Sequence, residues 1–180
     1  RVREIREVLA FDLVRERATR FAREMAEEMP NVSLSAVDDL VSATRRSDIC
    51  VTCTPSRTAL LGPDDVGPGA FIAAVGADNP EKQELAPALL ASSTVVVDIL
   101  DQCATIGDLH HAIAAAAMRR EDVYAELAEI VAGHKPGRRS SEEIIVFDST
   151  GTALQDVAAA ALVYDRAVAT STGMRVALGA

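Results

Sequence analysis

Apolar and polar positions along the chain alternate between two periodicities from one end to the other. Glu4 to Phe11 mixes charged and apolar side chains and then turns apolar through VLAF before Asp12, which predicts a strand that becomes buried as it ends. From Leu13 to Met29 the apolar positions Val14, Ala18, Phe21 and Met25 recur at helical spacing. Arg15, Arg17, Arg20, Glu24 and Glu27 supply the wet face of that helix, and Pro30-Asn31 ends it. A short strand, Val32 to Val37, precedes a helix over Asp39 to Arg46 with Asp38 as its cap, and Asp48 leads into the strand ICVTCT.

After Pro55-Ser56 the pattern predicts a loop with a helical turn near Pro63 to Val66. Gly67-Pro68-Gly69 then delivers the chain into the strand AFIAAVG. A helix over Ala86 to Ala91 and the β-branched run TVVVDIL, Thr94 to Leu100, come next. Helices over Asp108 to Met118 and Asp122 to Ala132, the loop GHKPGRRSS, the strand EIIVFD and a long helix from Thr152 to about Ala169 complete the chain. Strands that are apolar on both faces and alternate with helices indicate a parallel sheet covered on each side. The expected fold is α/β, a Rossmann-like, doubly wound, mostly parallel sheet. Residues 1–150 form a partial dinucleotide-binding domain, and 151–180 a carboxy-terminal helix that returns toward a further substrate and dimerisation domain.

Composition narrows the function classes. At 180 residues and 49% hydrophobic the chain can bury one domain core, and a net charge of −9 repels nucleic acid and anionic membranes, so neither is an expected partner. No stretch reaches the roughly 18 uninterrupted apolar residues of a membrane span, and the amino-terminal run has no secretory apolar region, so a cytoplasmic location is expected. Cys50 and Cys53 form a C-x-x-C, but within a strand their side chains face opposite ways and no second Cys/His pair completes a zinc site. No metal is expected. Lysine occurs only at Lys82 and Lys135, which makes Lys82 conspicuous.

The candidate chemistry sits where strands open into loops. AAVGADNPEKQEL brings an apolar strand to a glycine and then presents Asp78, with Lys82 and Glu84 beyond; an acid there can do proton chemistry on an occupant of the strand mouth. A helix cap ahead of Asn79-Pro80 is the local alternative. Asp12 ends the first strand as a ribose-binding acid ends the second strand of a dinucleotide domain, although a turn or cap acid explains it too. The first strand of such a domain and its glycine-rich turn do not stand in this chain, which therefore reads as a fragment beginning just after that turn.

Three runs, TCTPS at 52–56, AVGADNPEKQEL at 74–85 and FDSTGTALQD at 147–156, resemble the ornithine cyclodeaminase/mu-crystallin family. GPDDVGPGAF between the first two and VYAELAEIVAGHKPGR before the third extend the resemblance over essentially the whole chain. It implies an NAD(H)-binding domain, with NADP(H) less favoured because the Asp12 carboxylate repels a 2′-phosphate, a preference that Arg15 and Arg17 weaken. Carried over by position, the resemblance implies that Asp12, Thr54, Val75, Gly76, Ala77, Lys82 and Ser149 contact cofactor, Asp78 is the catalytic acid/base and also meets substrate, and Thr150 faces substrate. An ordinary strand-end threonine at Thr54, a solvated Lys82 and a helix cap at Ser149-Thr150 are the local alternatives. His110, His111 and His134 lie outside the matched runs and read as surface or cap, the basic loop from Gly133 to Arg139 as solvated, and Asp156 as structural.

The implied activity is NAD-dependent chemistry at an amino acid's α-carbon through an imine, foremost ornithine cyclodeamination to proline and ammonia, in a protein that forms a homodimer. Alanine dehydrogenase or ketimine/pyrroline-2-carboxylate reductase activity is the alternative within the family. A non-catalytic, crystallin-like binding protein or an inert fragment is the alternative of another class.

Overall fold

A computed structural model describes residues 3–174 and residue 176. The chain runs β1 (Glu7–Ala10), α1 (Arg15–Glu28), β2 (Ser33–Ala36), α2 (Leu40–Arg45), β3 (Ile49–Thr52), β4 (Arg57–Leu61), β5 (Phe71–Ala74), β6 (Gln83–Leu85) and α3 (Pro87–Ala91). It continues through β7 (Thr94–Val97), α4 (Leu100–Ile106), α5 (Asp108–Ala114), β8 (Ala125–Glu126), α6 (Leu127–Val131), β9 (Ile145–Asp148) and α7 (Ala153–Thr170). Short 3₁₀ turns stand at Pro63–Asp65 and Arg120–Asp122.

Every strand pairing is parallel, as the doubly apolar strands predict. The principal sheet has five strands in the order β3-β5-β9-β7-β8, so the last strand returns to its centre. β9 earns that place through Val146, which is fully buried among Ile72, Val95, Val97, Leu85, Leu89, Leu90 and Leu109. β1 and β2 form a separate pair, and among the described residues no ladder joins β1 to β3. An exposed contact from Arg46, at the end of α2, reaches Glu7 at the start of β1 at 3.3 Å. The expected fold class therefore holds, with its sheet interrupted between β1 and β3.

Several local expectations need correction. Asp39, rather than Asp38, caps α2 by accepting from Ser42 N at 3.0 Å, while Asp38 pairs with Arg15. The loop expected after Ser56 contains β4, which pairs with β6 to make a small parallel ribbon; these strands are short and carry little alternation, so the pattern hid them. The strand expected to run to Leu100 stops at Val97 because Asp98 Oδ1 accepts Ile99 N at 2.7 Å and turns the chain into α4. α5 ends at Ala114 rather than Met118, where Ala116 adopts φ +53. The helix expected from Asp122 resolves into β8, next to β7, and a short α6. On α1 the core contact comes from Ala18 and Ala22, while Val14 and Phe21 remain 42% and 48% exposed. α7 forms as expected, with Leu154, Val157, Val163 and Tyr164 exposed. Among the described residues no helix is long and apolar enough to cross a membrane.

Candidate nucleotide and substrate site

The register of the principal sheet ends four strands in one row. Thr52 lies opposite Ala74, Ala74 opposite Asp148, and Asp148 opposite Val97. Parallel strands that stop together open their following loops on one side, the edge where α/β sheets bind ligands. The loops are Cys53-Thr54, Val75 to Asp78, Ser149-Thr150 and Asp98-Ile99. Val75 N still donates to Thr52 O at 2.9 Å and Ser149 N to Ala74 O at 2.9 Å, so the ladder carries its order one residue into each loop.

Buried carboxylates hold the loops beyond that point. Glu84, fully buried, accepts from Thr54 N at 2.5 Å, Thr54 Oγ1 at 2.7 Å and Gly76 N at 2.9 Å. Asp108, also fully buried, accepts from the backbone N–H groups of Glu84 and Leu85 at 2.8 and 2.9 Å. Asp148 accepts in turn from Asp108 N at 3.2 Å and Leu109 N at 2.9 Å at the start of α5. Burial pushes the Asp108 carboxyl up to about 6 and Asp148 up to about 7, with the neighbouring Asp108 and Asp98 charges adding to the latter. Gly107 is required beside this pair, since a Cβ there would lie 2.6 Å from Asp148 Oδ2.

On the far side, Asp98 accepts from Ser149 Oγ at 2.8 Å, Gly151 N at 2.9 Å and the Cys103 thiol at 3.0 Å. Burial raises the Cys103 pKa, so this cysteine stays a thiol. Ser149 therefore gives its one proton to Asp98 and keeps its lone pairs for an incoming N–H donor. No helix cap is made by Ser149 or Thr150, because α7 begins after Thr152 without a side-chain cap. The Thr150 hydroxyl is buried with no protein partner.

Asp78 is exposed and bonded to Lys82 Nζ at 2.7 Å. That bond holds the Asp78 carboxyl below the usual carboxylate range, so it is ionised at neutral pH. The cap reading of Asp78 fails, since no helix follows; Asn79 Oδ1 accepts from Glu81 N at 3.0 Å and the chain enters β6. Lys82 is correspondingly an ion-pair partner rather than a free solvated side chain. Val75 is 42% exposed at the mouth, while Gly76 and Ala77 are buried. The need for glycine at Gly76 comes from within the protein: a Cβ there would stand 2.4 Å from Glu84 Oε1 and 2.6 Å from Thr54 N.

Asp12 stands apart, at the end of β1 on the separate sheet, where its Oδ1 accepts Val14 N at 2.7 Å. His111, expected at the surface, is partly buried and its Nε2 lies 2.7 Å from Lys82 O, pinning the Asp78 loop from behind. The basic loop is also tied down: Lys135 Nζ donates to Tyr124 O at 2.7 Å, and the Arg139 guanidinium stacks 4.5 Å from the Tyr124 ring centroid. Asp156 is exposed on α7. Among the described residues no group of three or more His, Cys, Asp or Glu could hold a metal ion, and all three cysteines are free. Pattern reading gave no structural role to Glu84, Asp98, Asp108 or Asp148; Asp98 and Asp148 leave the trace of an acid directly at or after a short apolar strand, and Glu84 and Asp108 leave none.

For an NAD-type cofactor, the residues present fit the two ends of the molecule. Asp12 keeps Oδ2 to accept from a ribose hydroxyl, and Ser149 keeps lone pairs to accept from a carboxamide. No glycine-rich strand-to-helix turn for the pyrophosphate occurs among the described residues.

Alanine dehydrogenase from Archaeoglobus fulgidus is 40% identical over 176 residues, covering 98% of this chain and 53% of that protein. The structure of an archaeal alanine dehydrogenase dimer with bound NAD superposes with a TM-score of 0.88 at 39% identity, over 99% of this chain and 54% of that one. The Δ1-pyrroline-2-carboxylate reductase of Thermococcus litoralis, in complex with NADH and L-proline, superposes with a TM-score of 0.91 at 31% identity, over 97% of this chain and 54% of that one. The chain thus spans about half the length of the curated relatives it matches. The family model for ornithine cyclodeaminase/mu-crystallin matches residues 1–171, and with these relatives it shows that the chain belongs to that family.

Proposed function

We propose that this chain is the cofactor-binding half of an NAD(H)-dependent enzyme that interconverts an α-amino acid and its imine. The observation that carries the reading is the row of strand ends from which Val75, Gly76 and Ala77 lead directly to an ionised Asp78. NAD, when bound, supplies the hydride acceptor or donor. Val75, Gly76 and Ala77 would pass along the nicotinamide, Ser149 would accept from its carboxamide, and Thr54 would border it with backbone and methyl group, since its hydroxyl is committed to Glu84. Asp12 would hold the adenosine ribose. The Asp12 carboxylate would repel a 2′-phosphate, and Arg15 pairs with Asp38 at the surface, which supports NAD over NADP.

Asp78 would take and return the protons of the substrate nitrogen. Lys82 keeps it ionised in the resting site, so it begins as the proton acceptor. Lys82 would also reach the cofactor, and the buried, unpartnered Thr150 hydroxyl would face the substrate. α7 and its exposed Leu154, Val157 and Val163 would lie against the substrate and dimerisation half of a homodimer.

Likeness to an alanine dehydrogenase and a pyrroline-2-carboxylate reductase favours a single amino-acid/imine half-reaction. Ornithine cyclodeamination would use the same residues with no net change in the cofactor. The full-length protein separates these readings: NADH consumption is followed with pyruvate plus ammonia and with Δ1-pyrroline-2-carboxylate, and ammonia release from ornithine is followed with catalytic NAD⁺. Turnover in one assay supports the proposal and names the substrate class; turnover in none contradicts it.

A further inference from the structure

Glu84 is a fully buried acidic side chain that enters no ion pair among the described residues, a costly arrangement that an apolar side chain would avoid. Its position explains what it does. The ladder between β3 and β5 ends with Val75 N on Thr52 O, and one step further the N–H groups of Thr54 and Gly76 lack a carbonyl partner on the neighbouring strand. Both donate instead to the Glu84 carboxylate, one to each oxygen, with the Thr54 hydroxyl sharing Oε1. Only a group with two acceptor oxygens serves all three donors. Glu84 is itself held by Asp108, which takes its backbone N–H and that of Leu85.

We propose that Glu84 is a positioning residue: it clamps Thr54 and Gly76 so that the loops after β3 and β5 present one rigid wall to the nicotinamide end of the site. The inference rests on the cofactor reading given above. It explains why position 76 is glycine, since a Cβ there would occupy the space of the clamping carboxylate. Glu84 touches neither cofactor nor substrate; it acts through the backbone of the residues that do. Its neighbours on the clamp are neutral, apart from Asp108 behind it, so the N–H and O–H dipoles alone stabilise the charge.

The test uses the full-length protein, with amide hydrogen exchange and NADH affinity as two separate readouts. In the wild type, Thr54 and Gly76 should exchange as slowly as core amides such as Ile72; exchange as fast as the exposed turn amide of Asn31 would overturn the clamp without any variant. Glu84→Gln keeps the shape but puts an NH₂ against a donor. It should speed exchange at Thr54 and Gly76 roughly ten-fold beyond any change at Ile72 and Val146, and weaken NADH roughly ten-fold, as expected for loss of one charge-assisted bond. A uniform rise at all amides with unchanged NADH affinity would show a merely structural carboxylate and overturn the proposal. A wild type that binds no NADH contradicts the cofactor reading; a wild type that binds it and a Glu84→Gln variant that binds it equally well contradict the clamp alone.

Discussion

Asp12 and Asp148 both close a parallel strand at the ligand edge of the fold, and they live under opposite conditions. Asp12 sits on a two-stranded pair, partly exposed, with one local bond to an N–H two residues away. Asp148 ends the central strand of the five-stranded sheet, fully buried, and reaches N–H groups 39 and 40 residues earlier in the chain. Burial decides the job. An acid that keeps water and a free oxygen can meet a ligand, whereas a buried one that accepts from backbone N–H groups of other elements holds the scaffold. Glu84 and Asp108 belong with Asp148, Asp78 with Asp12.

Perturbing the buried side should cost most. Gly76→Ala forces a Cβ against Glu84 and the Thr54 backbone, and should lower unfolding stability by about 3 kcal/mol in urea denaturation. Asp148→Asn exchanges one charge-assisted acceptor for a donor facing an N–H, and should cost about 2 kcal/mol at pH 8.

The same substitution should change the pH profile. Asp148 and Asp108 titrate near 7 and 6 in the fold but near 3.8 when unfolded, so between these values the native state holds more protons. Wild-type stability should therefore fall as pH rises from about 4 to about 7 and level off above, and Asp148→Asn should flatten that slope. A slope of the opposite sign, measured by denaturation at several pH values, would mean that both carboxyls are ionised more readily in the fold than in the unfolded chain.

On the exposed side effects shrink. Asp12→Ala loses one local bond and should cost about 0.5 kcal/mol, yet in the full-length protein it should weaken NAD binding. Arg15→Ala removes a solvated pair with Asp38 and should stay within about 0.5 kcal/mol in stability, and it should leave the preference for NAD unchanged. A gain or loss of NADP use in Arg15→Ala would show that this guanidinium reads the 2′ position after all.

How much of this was legible in the sequence follows the same division. Asp12, Asp78, Ser149 and Thr150 stand at strand ends within recognisable runs, and α1, α7 and β5, β7 and β9 announce themselves by period and β-branching. Glu84 and Asp108 did not, because an acid in QEL or GDL reads locally as a turn or cap. Their partners are 23 to 30 residues away in Asp108–Leu85 and Glu84–Thr54, and only the tertiary fold brings them together. β4 and β6 were hidden for a related reason: each is stabilised by the other, with a register shift between Arg57 and Leu61 that breaks any alternation. The break between β1 and β3 is likewise a matter of pairing, to which strand periodicity is blind.

The central claim is that Asp78, ionised beside Lys82, moves the substrate protons while the clamped loops hold the cofactor. It is tested most directly by Asp78→Asn in the full-length protein, measuring turnover and NADH affinity side by side. Turnover should fall by at least roughly a hundred-fold with NADH affinity within about two-fold of wild type; unchanged turnover would remove Asp78 from the chemistry.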